Sequence, residues 1–276
     1  MFSRPHICFQ SMCISLSLGI IALCFPACTV QSDVEEIPQY AQALLLAYPD
    51  YLSHYKNGHL YFRGGGSIIC DDGMEKGFLE RLDHADVEDM FYDVYRTGEP
   101  QVPDYLSDPG RYRCEAFFKK VYGSQEKKVR KQLVTVDWFG QKIPFTKVNH
   151  AADSLKAVET EIKASYPQYE DYFRQSSSFN WRSVREANRM SAHSYGIAID
   201  ICVDYSDYWR KSNPEEEELD EIVYQNRIPE EIIQVFEHHG FISGARWYHY
   251  DTMHFEFRPE LLIFAKSYCL NPSIFT

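Results

Sequence analysis

Two short segments of the chain alternate large apolar residues with small or polar ones, which is the pattern of a β-strand with one buried face. Residues 196–201 place Asp200 opposite three isoleucines, and residues 253–258 place His254 and Glu256 opposite two phenylalanines. Successive side chains of a strand point to opposite faces of the sheet. We therefore expect the apolar residues to face a core, and Asp200 to face His254 if the two strands are neighbours.

A further histidine, His193, lies in the predicted turn just before the first segment. Together with Asp200 and His254 it makes a set of two imidazoles and one carboxylate, which is typical of catalytic zinc sites with a fourth position open to water. Zinc fits this set better than magnesium or calcium, because imidazole nitrogens suit borderline metals and the harder ions prefer oxygen. The alternative is that both histidines are ordinary hydrogen-bonded side chains.

An acid and an arginine are the remaining candidates for catalysis. Asp251 precedes His254 by three residues, which predicts a place beside the water that the metal would activate, as general base. Its alternative role is to cap a turn. Glu256 is a second candidate base, or a partner that orients a ligand histidine, and spacing does not separate the two acids. An oxyanion needs a positive partner, for which we favour Arg182 over Arg189.

The two segments together follow a longer sequence pattern. Residues 191–200 follow Ser-x-His-x-x-Gly-x-Ala-x-Asp, and residues 251–254 supply an acid, two residues and a histidine. This pattern resembles that of the zinc D-Ala-D-Ala carboxypeptidases and dipeptidases, whose relatives include L-Ala-D-Glu endopeptidases of peptidoglycan. The resemblance extends over about residues 131–276, and its later part is similar to an exported, carboxypeptidase-like branch.

The resemblance implies a role for each residue of the pattern. His193, Asp200 and His254 would bind zinc, Asp251 would be the catalytic base, and Arg182 would match the arginine that stabilises the transition state. Many members of the family have Glu where Asp251 stands, although the endopeptidase-like branch also has Asp. A shorter acid must lie closer to the water.

The fold class that the resemblance implies is α+β, with a mostly antiparallel sheet flanked by helices, as in the Hedgehog signalling domain. We assign residues 131–276 to this zinc peptidase domain and residues 37–130 to a helical and irregular N-terminal extension of unknown role. The basic residues 124–131 are predicted to form a solvated turn or face. Apolar periodicity and turn residues predict the following elements: helices at 38–48, 111–122, 151–165 and 229–239, and a strand at 133–139.

The first 28 residues have the pattern of an export signal. A positively charged start is followed by an apolar run of roughly thirteen residues, which is too short for a comfortable membrane span, and then by a small residue before Cys28. Residues 25–28 resemble a bacterial lipobox, after which Cys28 would carry a lipid and residues 29–36 would form a tether. The alternative is ordinary cleavage near Ala27.

Cysteine content agrees with an exported protein. Four cysteines lie outside the leader, and none has the CxxC spacing of a zinc knuckle. In an oxidising compartment we expect at least one disulfide, and three pairings are open. The four residues are Cys70, Cys114, Cys202 and Cys269.

Charge and motifs together lead to a function hypothesis. The 28 basic and 40 acidic residues give a net charge of −12, which argues against binding to nucleic acid or to an anionic membrane surface. We predict an exported, monomeric zinc metallopeptidase that hydrolyses an amide bond in peptidoglycan stem peptides. A D-Ala-D-Ala carboxypeptidase is favoured over an endopeptidase. The alternative is an inactive, lipid-anchored wall-binding protein with a structural zinc.

Overall fold

The computed structural model describes residues 35–98, 100–184, 187 and 189–270. These residues belong to one compact unit that starts at Glu35. The predicted signal peptide and the lipidation site Cys28 lie outside the described residues. No helix in the described part of the chain is both long enough and apolar enough to cross a membrane.

The described residues form eight α-helices and eight β-strands, and every paired strand is antiparallel. The predicted α+β class is therefore confirmed. The helices are α1 (Gln39–Ala47), α2 (Phe78–His84), α3 (Glu115–Val121), α4 (Glu126–Arg130), α5 (Ala151–Ser165), α6 (Trp209–Ser212), α7 (Glu230–His238) and α8 (Pro259–Leu270). The strands are β1 (Leu52–Lys56), β2 (His59–Phe62), β3 (Ser67–Ile69), β4 (Leu133–Trp138), β5 (Gln141–Thr146), β6 (Ala198–Asp200), β7 (Phe241–Ser243) and β8 (His254–Phe257).

The sheet that carries the predicted ligands has the order β6-β8-β7. Its register pairs Asp200 with His254, as the alternation of the two segments predicts. The opposite face is buried: Ile199 and Phe255 are both fully inaccessible to solvent. Phe255 stacks on Phe236 of α7, with the ring centroids 3.9 Å apart. Burial of these apolar side chains fixes the register, because a slip of one residue would turn them to the face that carries Asp200 and His254.

A three-stranded sheet, β1-β2-β3, corrects the prediction that the extension is only helical and irregular. Strands β1 and β2 are joined by the two-residue turn Asn57-Gly58, in which both residues have positive φ, 49° and 75°. Asn-Gly is the strongest short-range signal of a type I′ hairpin, and our reading of the sequence missed it. Phe139 and Gly140 form the corresponding turn between β4 and β5, with φ of 44° and 78°.

Residues on both sides of position 131 share one hydrophobic core. The Tyr48 hydroxyl after α1 donates a 2.9 Å hydrogen bond to Glu260 in α8. Arg258 is fully buried beside it and donates to Glu260 at 2.5 Å and to the Gly110 carbonyl at 3.1 Å. The division at residue 131 remains a prediction about domain organisation, while the extension packs as an integral part of the described unit.

Most of the predicted helices lie where the periodicity places them. Helices α1, α5 and α7 begin and end within two residues of the predicted limits. Helix α3 begins at Glu115, four residues later than predicted, and the basic residues 126–130 form the short helix α4 rather than a turn. One turn of helix is too short to show an apolar period.

The described cysteines do not form the predicted disulfide with one another. Cys70, Cys114 and Cys202 are buried free thiols. Burial raises the pKa of Cys114 to about 11, so this thiol stays protonated and packs as a small apolar group. The side chain of Cys269 lies outside the described part of the chain.

Candidate active site

His193 is held in a 3-10 turn, Ala192–Tyr195, that ends at Gly196. Gly196 has a φ of 68°, and a Cβ there would lie 2.5 Å from the Leu133 side chain, so this turn requires glycine. His193 Nδ1 lies 2.7 Å from the carbonyl oxygen of Ser178. A carbonyl can only accept, so Nδ1 carries the proton and the lone pair of Nε2 faces the site.

His254, on β8, is oriented in the same way from the other side. Its Nε2 lies 3.4 Å from an oxygen of Glu256, to which it donates, and its Nδ1 lies 3.1 Å from Asp200 Oδ1. Glu256 is fully buried and accepts from Arg258 at 3.0 Å and from Arg113 at 3.3 Å. A carboxylate behind a histidine fixes its tautomer and ring orientation. Nδ1 of His254 therefore faces the site, where it can bind a metal ion once it is unprotonated.

Three atoms that can each offer a lone pair to a metal ion converge in the site. Asp200 Oδ1 lies 3.2 Å from His193 Nε2, which is 3.3 Å from His254 Nδ1. Ligands about 2.0–2.1 Å from a tetrahedral zinc are about 3.3 Å apart, so the spacing fits this ion. These three residues are one of the sets of side chains in the described part of the chain that could hold a metal.

The electrostatics of the centre favour a cation. Burial opposes ionisation of Asp200, yet the adjacent His193 and His254 hold its pKa well below the ordinary range. Burial also opposes protonation of His254, but Asp200 and Glu256 raise its pKa to about 10. Both shifts show that the surroundings stabilise positive charge between these side chains, and zinc would supply it.

Asp251 lies beside this centre and lines the same cleft. Its Oδ1 atom is buried and accepts no hydrogen bond from any described residue. Burial and the neighbouring Asp200 raise the pKa of Asp251 to about 6. Gly244 holds the loop, because its amide carbonyl accepts from Asp251 at 3.1 Å and a Cβ on it would lie 2.3 Å from the Asp251 carbonyl oxygen.

The two candidate arginines both line the cleft, in different states. Arg182 is exposed, and its guanidinium donates to the Ser183 carbonyl at 3.3 Å. Arg189 is buried, with 9% of its side chain exposed, and donates to Asp83 of α2 at 2.5 Å. Both arginines thus line the cleft that contains the predicted ligands, and Arg182 is the more exposed of the two.

A buried histidine that the sequence analysis did not single out also lines the cleft. His249 Nδ1 lies 2.6 Å from Asp108, and its Nε2 lies 3.0 Å from the carbonyl of Glu218. His249 stands two residues before Asp251, so its position in the motif segment was a usable signal. Asp108 is 141 residues away from its partner, and no local pattern connects the two.

The cleft has a volume of 620 Å³, and residues of the extension form part of its wall. Helix α2 and the segment before α3 contribute side chains to this wall. The extension therefore shapes the site, although no motif in it has a chemical meaning. These extension residues are Leu79, Leu82, Asp83, Arg111 and Arg113.

Comparison with known proteins agrees with the geometry. Residues 185–257 match the family model of D-alanyl-D-alanine carboxypeptidase. The matched part is about a quarter of the chain and contains all three predicted ligands and Asp251. No curated protein and no solved structure matches the chain significantly. The match supports a metallopeptidase of this family, and it includes neither Arg182 nor the extension.

Proposed function

We propose that this protein is an exported zinc metallopeptidase that hydrolyses an amide bond in peptidoglycan stem peptides, as a D-Ala-D-Ala carboxypeptidase. One observation carries the proposal. In a segment similar to that family, three lone-pair atoms converge beside Asp251, whose buried Oδ1 is unbonded. An unbonded carboxylate oxygen next to a metal centre is what a general base requires.

His193, Asp200 and His254 would hold the zinc ion, which when bound polarises a carbonyl and lowers the pKa of a water molecule. Asp251 accepts the proton of the attacking water and later returns it to the leaving amine. Arg182, which is exposed at the cleft, would turn toward the oxyanion of the tetrahedral intermediate and stabilise its charge.

The surroundings of Glu256 favour Asp251 over it as the base. Both oxygens of Glu256 are occupied: one accepts from Arg258 and the other lies within reach of Arg113 and His254. Glu256 is also fully buried and is not among the described residues that line the cleft. It would therefore act through His254, as a positioning residue.

The competing function is a wall-binding protein with a structural zinc. Structural zinc sites are closed by four protein ligands, whereas here three donors converge and the Oδ1 atom of Asp251 beside them has no hydrogen-bond partner among the described residues. An inactive binding module has no use for a buried, unbonded carboxylate oxygen, which is costly to keep. This observation favours the peptidase.

A product analysis tests the proposal. The mature protein is incubated with purified muropeptides and zinc, and product masses are measured. Loss of one alanine supports the carboxypeptidase, and a cut near the sugar-proximal end supports an endopeptidase. Stoichiometric zinc with no product would support the wall-binding alternative instead.

Export and attachment to a membrane through lipidated Cys28 are proposed from the leader alone. In a bacterial host, radiolabelled palmitate should be incorporated into the full-length protein and lost in Cys28→Ser. A mature protein that is released to the medium without a label would support ordinary cleavage near Ala27.

A further inference from the structure

The cleft is rich in arginine although the chain as a whole carries a net charge of −12. Among the described residues that line the cleft, five are arginines. Three of them lie close enough to influence one another, because the charge of Arg111 lowers the pKa of Arg189 and the charge of Arg189 lowers the pKa of Arg113. The five are Arg111, Arg113, Arg182, Arg189 and Arg210.

Two of these arginines share an ion-pair network centred on Glu218. Arg111 donates to Asp108 at 2.6 Å and to Glu218 at 3.0 Å. Arg210 donates to the same Glu218 at 3.2 Å. These guanidiniums are parts of a structural network and have their charge compensated within the protein.

Arg113 and Arg189 are different. Their side chains are only 10% and 9% exposed, yet the Nε–H group of each is buried and donates to no described residue. Burial lowers the pKa of Arg113, and the nearby charge of Arg189 lowers it further against the pull of Glu256. Two neighbouring guanidiniums with unmet donors are a costly arrangement, and an anion that accepts from both would offset the cost.

We propose that Arg113 and Arg189 form a carboxylate-binding subsite of the cleft. The inference rests on the proposed function and names a group that the substrate must carry near the amide that is cut. A guanidinium matches a carboxylate with two parallel N–H donors, and a small rotation of each side chain would present Nε–H to it.

The extension builds this subsite. Arg113 belongs to it directly, between Gly110 and α3, and Arg189 is held in place by Asp83 of α2. Neither Asp83 nor Arg113 lies within the segment that matches the carboxypeptidase family, residues 185–257. Residues 37–130, whose role the sequence does not disclose, therefore select substrates by charge.

Two carboxylates of a stem peptide have the required chemistry. One is the C-terminal carboxylate, which would lie one residue beyond the bond cut by a carboxypeptidase. The other belongs to an internal acidic residue, next to the bond cut by an endopeptidase. The same subsite chemistry serves both, so the ligand series must remove each carboxylate separately.

The test measures binding by titration calorimetry, with zinc-loaded Asp251→Asn protein, so that cleavage does not interfere. The ligands are a stem peptide ending in D-Ala-D-Ala, the same peptide with a C-terminal amide, and the same peptide with its internal acid amidated. Loss of the recognised carboxylate should weaken binding roughly 10- to 100-fold, and loss of the other should change it little.

The variants locate the effect. Adding Arg189→Gln should abolish the difference between the acid and its amide by weakening only the acid, and Arg189→Lys should restore part of it. Arg210→Gln, an arginine of the same cleft with its charge compensated, should preserve the difference. Arg113→Gln should behave as Arg189→Gln does. Because Arg113 also contacts Glu256, the zinc content of this variant is measured in parallel.

Several outcomes would overturn the subsite. Equal affinity for all three ligands would do so, as would no binding of any of them. An Arg189→Gln protein that loses affinity for all three ligands to the same extent would show that this residue only supports the wall through Asp83. If the protein binds the acid more tightly than the amide but the wild type cleaves no muropeptide, the subsite is supported and the proposed peptidase activity is rejected. If the wild type cleaves muropeptides but binds all three ligands equally, the activity is supported and the subsite is rejected.

Discussion

The two strands β6 and β8 and the N-terminal extension contribute to one cleft in different ways. The strands and the turn before them supply the three lone-pair atoms, within a register set by adjacent residues. The extension supplies groups that contact residues next to these ligands. Arg113 donates to Glu256, 143 residues away, and Asp108 pairs with His249, 141 residues away. The predicted ligands thus come from within residues 193–254, whereas the groups that support them come from more than 140 residues away.

The largest effect should come from the strands. His254→Ala removes one of three ligands, so we expect loss of bound zinc and a fall in kcat/KM of at least roughly 10³-fold, since several kcal/mol of transition-state stabilisation disappear. Metal analysis and the muropeptide assay measure both. Circular dichroism controls for folding. A folded variant that retains zinc and activity would contradict the site.

Asp251→Asn should separate chemistry from metal binding. The amide keeps the size of the side chain but cannot take a proton, so kcat should fall roughly 10²- to 10⁴-fold while zinc content stays at one equivalent. Steady-state kinetics and metal analysis of the same sample measure this. Glu256→Gln is the matched comparison, because it should lower the affinity for zinc. An unchanged kcat in Asp251→Asn would show that another group is the general base.

Arg113→Met tests whether the extension supports the metal centre. It removes one of two guanidiniums from Glu256, which orients His254, and residues behind a ligand are worth roughly 10- to 100-fold in metal affinity. As Arg258 remains, we expect about 10-fold weaker zinc binding in a chelator competition. Arg130→Met, at an exposed arginine paired with Glu126, is the control. Equal zinc affinity in both variants would show that Arg113 does not contribute to the orientation of His254.

The smallest effect concerns pH and the extension alone. Burial raises the pKa of Asp93 from 3.8 to about 6, with the charge of Asp108 adding to it. The folded state therefore binds this proton more tightly than the unfolded chain does, so the stability that it contributes is complete below about pH 4 and is lost as the pH rises through 6. We expect Asp93→Asn, which still accepts from the Asp108 amide, to be about 1–2 kcal/mol more stable than the wild type at pH 7 and equal to it at pH 4.

Urea unfolding at the two pH values measures the Asp93 effect. Asp137→Asn is the control, since Asp137 is 79% exposed on β4 and pairs with Lys142. If the difference in unfolding free energy between the wild type and Asp93→Asn is the same at both pH values, Asp93 is not a source of pH dependence.

The metal centre could be predicted from the sequence because side chains alternate between the two faces of a strand with a period of two residues. Alternation placed Asp200 opposite His254, and the structure has that register. The sheet of the extension was also accessible through Asn57-Gly58. The contacts of Asp83 with Arg189 and of Asp108 with His249 were not, because a pairing across more than a hundred residues leaves no local period. The role of the extension could only come from the folded chain.

The buried chain of charges behind His254 has a consequence for the order of synthesis. Arg258 joins Glu256 to Glu260, and Glu260 accepts from Tyr48, 212 residues earlier in the chain. The support of the metal ligand is therefore completed only after α8 has been made and has met α1. We expect a nascent chain to lack a finished centre until both segments have folded against each other.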